Sequence, residues 1–312
     1  MNHALIISDK KPGHVNQSIA LCNHLGYSFD IIEISFKSIF FKVISYFLDW
    51  LFIYLTSIFK ESVKIDKNKY NLIISAGSST FYANKLISTK YKIKNIGILY
   101  PRGYRPSFNY IFAPIYDKYP KKNNIISIPI NICHSDEEWF KIKSNEFLKL
   151  HHHSLKKAVG IIIGGPNNRS IINLKTLKKQ LEDIFYNNSD KEVWITTSRR
   201  TTKEIESIIS QFKFDYKLIF SDNAYNPIPA FIQLCDTLYI TNDSTTMISE
   251  AVSYGKSNVF ILPGTSIKLM DKFELFYKDL IKRNTVRIFD KETIAVNNKI
   301  SLNKIIKSKI NL

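Results

Sequence analysis

Short runs of apolar, largely β-branched residues recur along the chain, each closed by Gly, Pro, Asp or Ser. In the first half they are Ala4–Ser8, Phe29–Ile34, Leu72–Ser75, Ile96–Tyr100, Tyr110–Pro114 and Ile125–Ile130. In the second they are Val159–Ile163, Val193–Thr197, Lys217–Phe220, Thr237–Thr241, Asn258–Leu262 and Val286–Phe289. The runs are continuously apolar, the pattern of strands buried on both faces of a parallel sheet. Helical spacing separates most of them, as in Gln17–Leu25, Leu174–Phe185, Thr202–Phe212 and Thr245–Tyr254. Two such sets predict an α/β protein of two Rossmann-like, doubly wound parallel-sheet domains facing a cleft. The polar stretch from Trp139 to Lys157 divides the sets, predicting domains over 1–145 and 155–312, the last helix free to cross back.

One segment breaks the alternation. Phe36–Phe59 is strongly aromatic, and from Val43 to Phe59 it holds a single charge, Asp49. A membrane span needs about 20 apolar residues and pays roughly 3 kcal/mol for a central Asp, so spanning is disfavoured. Phe36, Phe40, Val43, Phe47, Leu51, Tyr54 and Ile58 trace one helical face, expected to pack on the sheet. Phe41, Tyr46, Trp50 and Ile53 lie on the other, expected to dip into a lipid interface framed by Lys37, Lys42 and Lys60. A helix buried between domains or in a dimer is the competing reading.

The chain has 312 residues with 44 Lys and Arg against 27 Asp and Glu, a net charge of +17. That excess points either to Lys-rich compositional drift or to anionic partners. No nucleic-acid module is present, and the aromatics cluster in an apolar helix instead of among basic residues, so nucleic acid is not expected. Cys22, Cys133 and Cys235 are too few and too scattered for a disulfide scaffold or a zinc cluster. His151, His152 and His153 read as a solvated linker beside Lys156 and Lys157. The N-terminus runs straight into the first strand without a leader, predicting a cytoplasmic protein peripheral on the inner membrane face.

Ligands of open α/β sheets bind at the carboxyl ends of strands. The first strand ends in Ser8-Asp9-Lys10-Lys11-Pro12-Gly13-His14, followed by Asn16-Gln17. His14 is the natural general base, with Asp9 as the alternative. Lys10, Lys11, Asn16, Gln17, Gly77 and Arg102 are expected on the same, acceptor-binding side. After Val159–Ile163, Gly164 and Gly165 would bring backbone N–H groups to an anion. Ser198, Arg199 and Arg200 would clamp phosphate. Asp243 or Ser244 caps the helix that follows Thr237–Thr241, and its first turn, including Met247, would receive a diphosphate. Glu250 would take ribose hydroxyls, while Lys268 and Arg287 would add positive charge near the leaving group. No Asp-x-Asp occurs, which predicts charge neutralisation by cationic side chains and helix dipoles with no required metal or cofactor.

Asp9–Ser18, Ser75-Ala-Gly77, Pro101-Arg102, Gly164-Gly-Pro166, Thr197-Ser-Arg-Arg-Thr201 and Asn242–Ala251 occur in this order. The set resembles the ELM1-like family of mitochondrial fission proteins and bacterial glycosyltransferases, over about Asp9 to Phe289. The resemblance implies a GT-B-type fold and, in bacteria, synthesis of lipopolysaccharide core or another envelope glycan. Tyr116-Asp117 stands where the family has His-Asp, Thr202 where it often has Pro, and Ser257 within its usual Gly-Lys-Pro. Residues and resemblance together predict a metal-independent glycosyltransferase working on a nucleotide-sugar donor and a glycolipid or oligosaccharide acceptor at an anionic membrane surface. A nucleotide-sugar epimerase or hydrolase, revealed by donor turnover without acceptor, is one alternative. A non-catalytic membrane adaptor, which has no use for His14, Arg199, Arg200 and Glu250, is the other.

Overall fold

The computed structural model describes residues 2–151, 156–167, 170–266, 272–290 and 296–310, in two compact units. The first comprises Met1–His134 with Leu302–Leu312. In chain order it holds β1 (His3–Ser8), α1 (Pro12–Leu25), β2 (Ser28–Glu33), α2 (Ile39–Trp50), β3 (Leu72–Ala76), α3 (Phe81–Tyr91), β4 (Lys94–Ile98), β5 (Tyr110–Pro114) and β6 (Ile125–Ile128). The strands form one parallel sheet in the order β2-β1-β3-β4-β5-β6. β1 and β3 are buried nearly throughout, whereas β2, at the edge, has only exposed and half-buried positions. Continuous apolar runs thus mark the strands covered on both faces.

The second unit, Ser135–Ser301, holds α4 (Glu137–Leu150), β7 (Ala158–Ile163), β8 (Ser170–Ile171), α5 (Leu174–Asn187), β9 (Glu192–Thr197), α6 (Lys203–Ile209), β10 (Tyr216–Leu218) and α7 (Ile228–Leu234). It continues with β11 (Thr237–Thr241), α8 (Thr245–Ser253), β12 (Asn258–Leu262), β13 (Thr265–Ser266), α9 (Lys272–Lys282) and β14 (Arg287–Ile288). Its parallel sheet runs β10-β9-β7-β11-β12-β14, and β8 pairs antiparallel with β13. Helix α10 (Leu302–Lys307) belongs with the first unit. In each sheet the order reverses once, between β1 and β3 and between β7 and β11, and such switch points are where α/β sheets bind ligands.

Two expectations need correction. The stretch expected as a linker carries α4: the Asp136 side chain accepts the Trp139 N–H at 2.9 Å, and Phe140 and Phe147, two turns apart, are buried. Phe147 packs on Trp194 and Phe231 of its own unit. His152 and His153 lie outside the described residues.

The aromatic segment is the second correction. Its helix, α2, spans only Ile39–Trp50, and part of its expected phase is wrong: Phe40, Val43, Phe47 and Leu51, expected inward, are exposed, whereas Phe41 and Tyr46, expected outward, pack inward. Phe41, Tyr46 and Leu48 pack on the core. Phe40 (65% exposed), Phe47 (61%) and Trp50 (67%) face outward, followed by exposed Phe52 and Ile53. Asp49 sets the phase. Its carboxylate, 0% exposed, accepts from the Lys85 ammonium at 2.9 Å through both oxygens, the Arg105 N–H at 2.8 Å and the Tyr54 hydroxyl at 3.1 Å. A buried carboxylate needs those partners, so the helix turns Ser45 and Asp49 inward together. After Trp50 the chain leaves the helix through Phe52 in the left-handed region (φ 61°), and the Tyr82 hydroxyl bonds Ile53 and Leu55. Among the described residues no helix is long and apolar enough to cross a membrane.

Candidate functional site

Each switch point collects polar side chains. In the first unit, β1 ends at Ser8, whose hydroxyl accepts the N–H of Lys10, itself in the left-handed region (φ 66°). This turn carries Asp9 inward, its side chain 5% exposed, and opens α1 with Pro12, where a missing N–H is harmless. His14, in the first turn of α1, donates Nδ1–H to Asp9, 3.0 Å from either carboxylate oxygen. The Lys11 N–H (3.3 Å) and ammonium (3.6 Å) also reach Asp9. Burial alone would push the Asp9 carboxyl up, but His14 and Lys11 outweigh it and hold it below the ordinary carboxylate range. An ionised Asp9 fixes the proton on Nδ1 and leaves Nε2 of His14 as a proton acceptor.

Gly77, directly after β3, makes room for that ring. An ideal Cβ there would lie 2.3 Å from Cε1 of His14, and its φ of +83° is itself a glycine conformation. Lys42 of α2 donates to the hydroxyls of Ser78 (3.1 Å) and Ser79 (3.3 Å) beside it. It faces this site, not a lipid frame. The other expected acceptor-side residues are placed differently. Lys10 pairs with Glu33 at 2.8 Å, Gln17 is buried with its amide on the Gly13 carbonyl, and Arg102 reaches the Lys118 carbonyl at 3.5 Å. Asn16 is exposed on α1. A surface recess of about 520 Å³, lined by Tyr54, Leu55, Thr56, Leu86 and Lys90, lies along the C-terminal half of α3, at the other end of that helix from Gly77.

In the second unit Asp243 is the hub. It is 2% exposed and accepts from the Thr241 hydroxyl (2.6 Å), the Gly165 N–H (3.2 Å) and the Arg200 guanidinium (2.6 Å). Burial pushes its carboxyl up, and those three donors only partly offset the rise. Cβ atoms on Gly164 and Gly165 would fall 2.1 Å from Asp243 and 1.9 Å from the Arg200 carbonyl oxygen. The glycines are there for close approach. Their N–H groups are spent inside the protein, Gly164 on Thr241 at 2.7 Å and Gly165 on Asp243, so they do not present themselves to a diphosphate. Asp243 likewise acts as counter-ion to Arg200, since a buried carboxylate would repel phosphate. Thr201 closes the Ser198–Thr201 turn and donates to the Gly164 carbonyl at 2.6 Å.

Ser244 caps α8 by accepting the Met247 N–H at 3.4 Å. Glu250, two turns along, keeps part of its surface open to solvent, has no side-chain partner among the described residues, and is pushed up to about 7 by burial. Arg199 is exposed beside Ser198. Arg287 instead opens the edge strand β14 and turns toward Asn284, two strands from β11. Lys268 lies outside the described residues. Sequence reasoning missed Lys42, Ser78, Thr201 and Thr241 as site members, although Thr201 and Thr241 stand inside motifs it singled out. Among the described residues no group of three or more His, Cys, Asp or Glu side chains is placed to hold a metal ion.

Two six-stranded parallel sheets with flanking helices, each with polar side chains at its switch point, define a fold of the GT-B glycosyltransferase type. The chain belongs to the family described as Mitochondrial fission ELM1, whose model matches residues 12–307. Among solved structures it is similar to a UDP-glucosyltransferase from Polygonum tinctorium capable of glucosylating indoxyl (TM-score 0.50, 8% identity, covering 99% of this chain and 92% of that one). It is also similar to UDP-GlcNAc 2-epimerase from Neisseria meningitidis (0.49, 13%, 99% and 90%) and E. coli ADP-heptose lps heptosyltransferase II (0.43, 11%, 84% and 84%). No curated protein sequence matches at a significant level.

Proposed function

We propose that the protein is a glycosyltransferase that moves a sugar from a nucleotide-sugar donor to a hydroxyl of an envelope glycolipid or oligosaccharide such as lipopolysaccharide core. The observation that carries this reading is the Asp9–His14 pair: a carboxylate fixes one ring nitrogen and leaves the other as base, at the switch point of a GT-B-type sheet. His14 Nε2 takes the acceptor's hydroxyl proton, the oxygen bonds the anomeric carbon, and the bond from that carbon to the nucleotide's phosphate breaks. Asp9 is the positioning residue. In the second unit Arg200, oriented by Asp243, meets the leaving phosphates with Arg199, Ser198 and the start of α8. Glu250 accepts from the ribose hydroxyls. No metal or cofactor is assigned a step.

The exposed face of α2, with Lys37 and Lys60 exposed at the ends of the segment, supports docking on the inner, anionic face of the cytoplasmic membrane. The donor half of the reading is tested by thermal-shift screening against UDP-, GDP-, ADP-, dTDP- and CMP-linked sugars. At least one ligand should stabilise the wild type and lose affinity in Arg200→Ala. Silence across the panel would contradict it.

A further inference from the structure

The surroundings of His14 carry more positive charge than its base chemistry needs. Among the described residues the Lys42 ammonium, brought in by α2, donates only to two neutral hydroxyls, Ser78 and Ser79. Asp9, the carboxylate whose charge reaches it, is already engaged by His14 and Lys11. Burial and the nearby Lys11 ammonium push Lys42 down from its ordinary value, an effect that Asp9 only partly offsets, so two ammonium groups and the His14 ring share a single carboxylate. A half-buried cation beside another cation is costly unless something negative arrives. Here hydroxyls and ammonium groups already converge, and Gly77, next to Ser78, supports the His14 ring. The positive ends of α1 and α3 begin at the same two strand ends and add to the field.

We propose that the His14 site takes a substrate bearing an oxyanion group, a phosphate or a carboxylate, held by Lys42, Ser78, Ser79 and Lys11 beside the reacting hydroxyl. The hydroxyl rests on the transferase reading; the anion subsite does not. Under that reading the acceptor is an acidic or phosphorylated glycan, and Lys42 is its specificity-determining residue. The same helix then shows an apolar face outward and a cation inward, a layout suited to an acceptor whose charged sugar hangs from lipid.

The test titrates the full-length protein with inorganic phosphate and, separately, with acetate, following the His14 Cε1 proton by NMR. A saturable shift with either anion is expected; phosphate alone points to a phosphorylated acceptor, acetate as well to a sugar acid. Lys42→Met should weaken binding about tenfold, Ser79→Ala severalfold, and Lys42→Arg should retain it. No saturable shift with either anion, or Lys42→Met binding like wild type, overturns the subsite. Nucleotide-sugar binding is read on the same samples. If anions bind through Lys42 while no nucleotide sugar binds, the transferase reading falls and the subsite stands.

Discussion

The ring of His14 fills the space that any side chain on residue 77 would need: a Cβ on Gly77 would sit 2.3 Å from His14 Cε1. The base is therefore wedged between β3 and the Asp9 carboxylate, fixed on one side by sterics and on the other by a charged hydrogen bond. Gly77→Ala should fold, since His14 can rotate outward, yet lose activity by about 10² or more because the base leaves its place. Wild-type turnover would show that the ring's position does not matter.

Asp49 and Lys85 form a buried ion pair in the first unit. Both are essentially buried, at 0% and 2% exposure. Asp49→Asn should destabilise the protein by about 3–5 kcal/mol, because it leaves the Lys85 charge without a counter-ion. The double substitution Asp49→Leu, Lys85→Met should recover much of the loss. Urea unfolding of the three proteins measures both effects.

Glu250 predicts a pH dependence. Burial raises its carboxyl from about 4.5 to about 7. A raised pKa means that its contribution is fully favourable below about 4.5 and is lost as pH rises through 7. The melting temperature of the wild type should thus fall between pH 5 and 8 relative to Glu250→Gln. Parallel pH profiles for the two proteins would remove Glu250 as the source.

Outward-facing Phe47 and Trp50 should govern membrane attachment. Cosedimentation with phosphatidylglycerol-containing vesicles should be strong, weaken with salt and drop at least about tenfold in Phe47→Glu/Trp50→Glu. Equal binding to neutral vesicles would return the +17 charge to compositional drift.

The strands were legible because runs such as Leu72–Ala76 and Thr237–Thr241, buried along their whole length, are mostly apolar with no polar alternation. Asp9 and His14 were legible as candidates because they stand five positions apart where β1 passes into α1, but as alternative bases; that the carboxylate orients the imidazole appears only in the folded chain. The phase of α2 was not. It is fixed by Lys85 and Arg105, 36 and 56 residues from Asp49, contacts that no local spacing records. For the same reason Lys42 reads from sequence as a flanking charge, and only the packing of α2 against the β3–α3 loop turns it toward Ser78. Gly164 and Gly165 show the converse: the motif is real, but its glycines admit Asp243 and the Arg200 turn instead of a ligand.

The most direct measurement of sugar transfer is release of free nucleotide from a nucleotide sugar, with and without a glycolipid acceptor, in wild type and His14→Ala. Nucleotide should appear only when acceptor is present, its sugar should be recovered on the acceptor, and His14→Ala should slow turnover by about 10²–10⁴ with donor binding intact. Free or epimerised sugar without acceptor, or a His14→Ala protein that turns over at the wild-type rate, would contradict it.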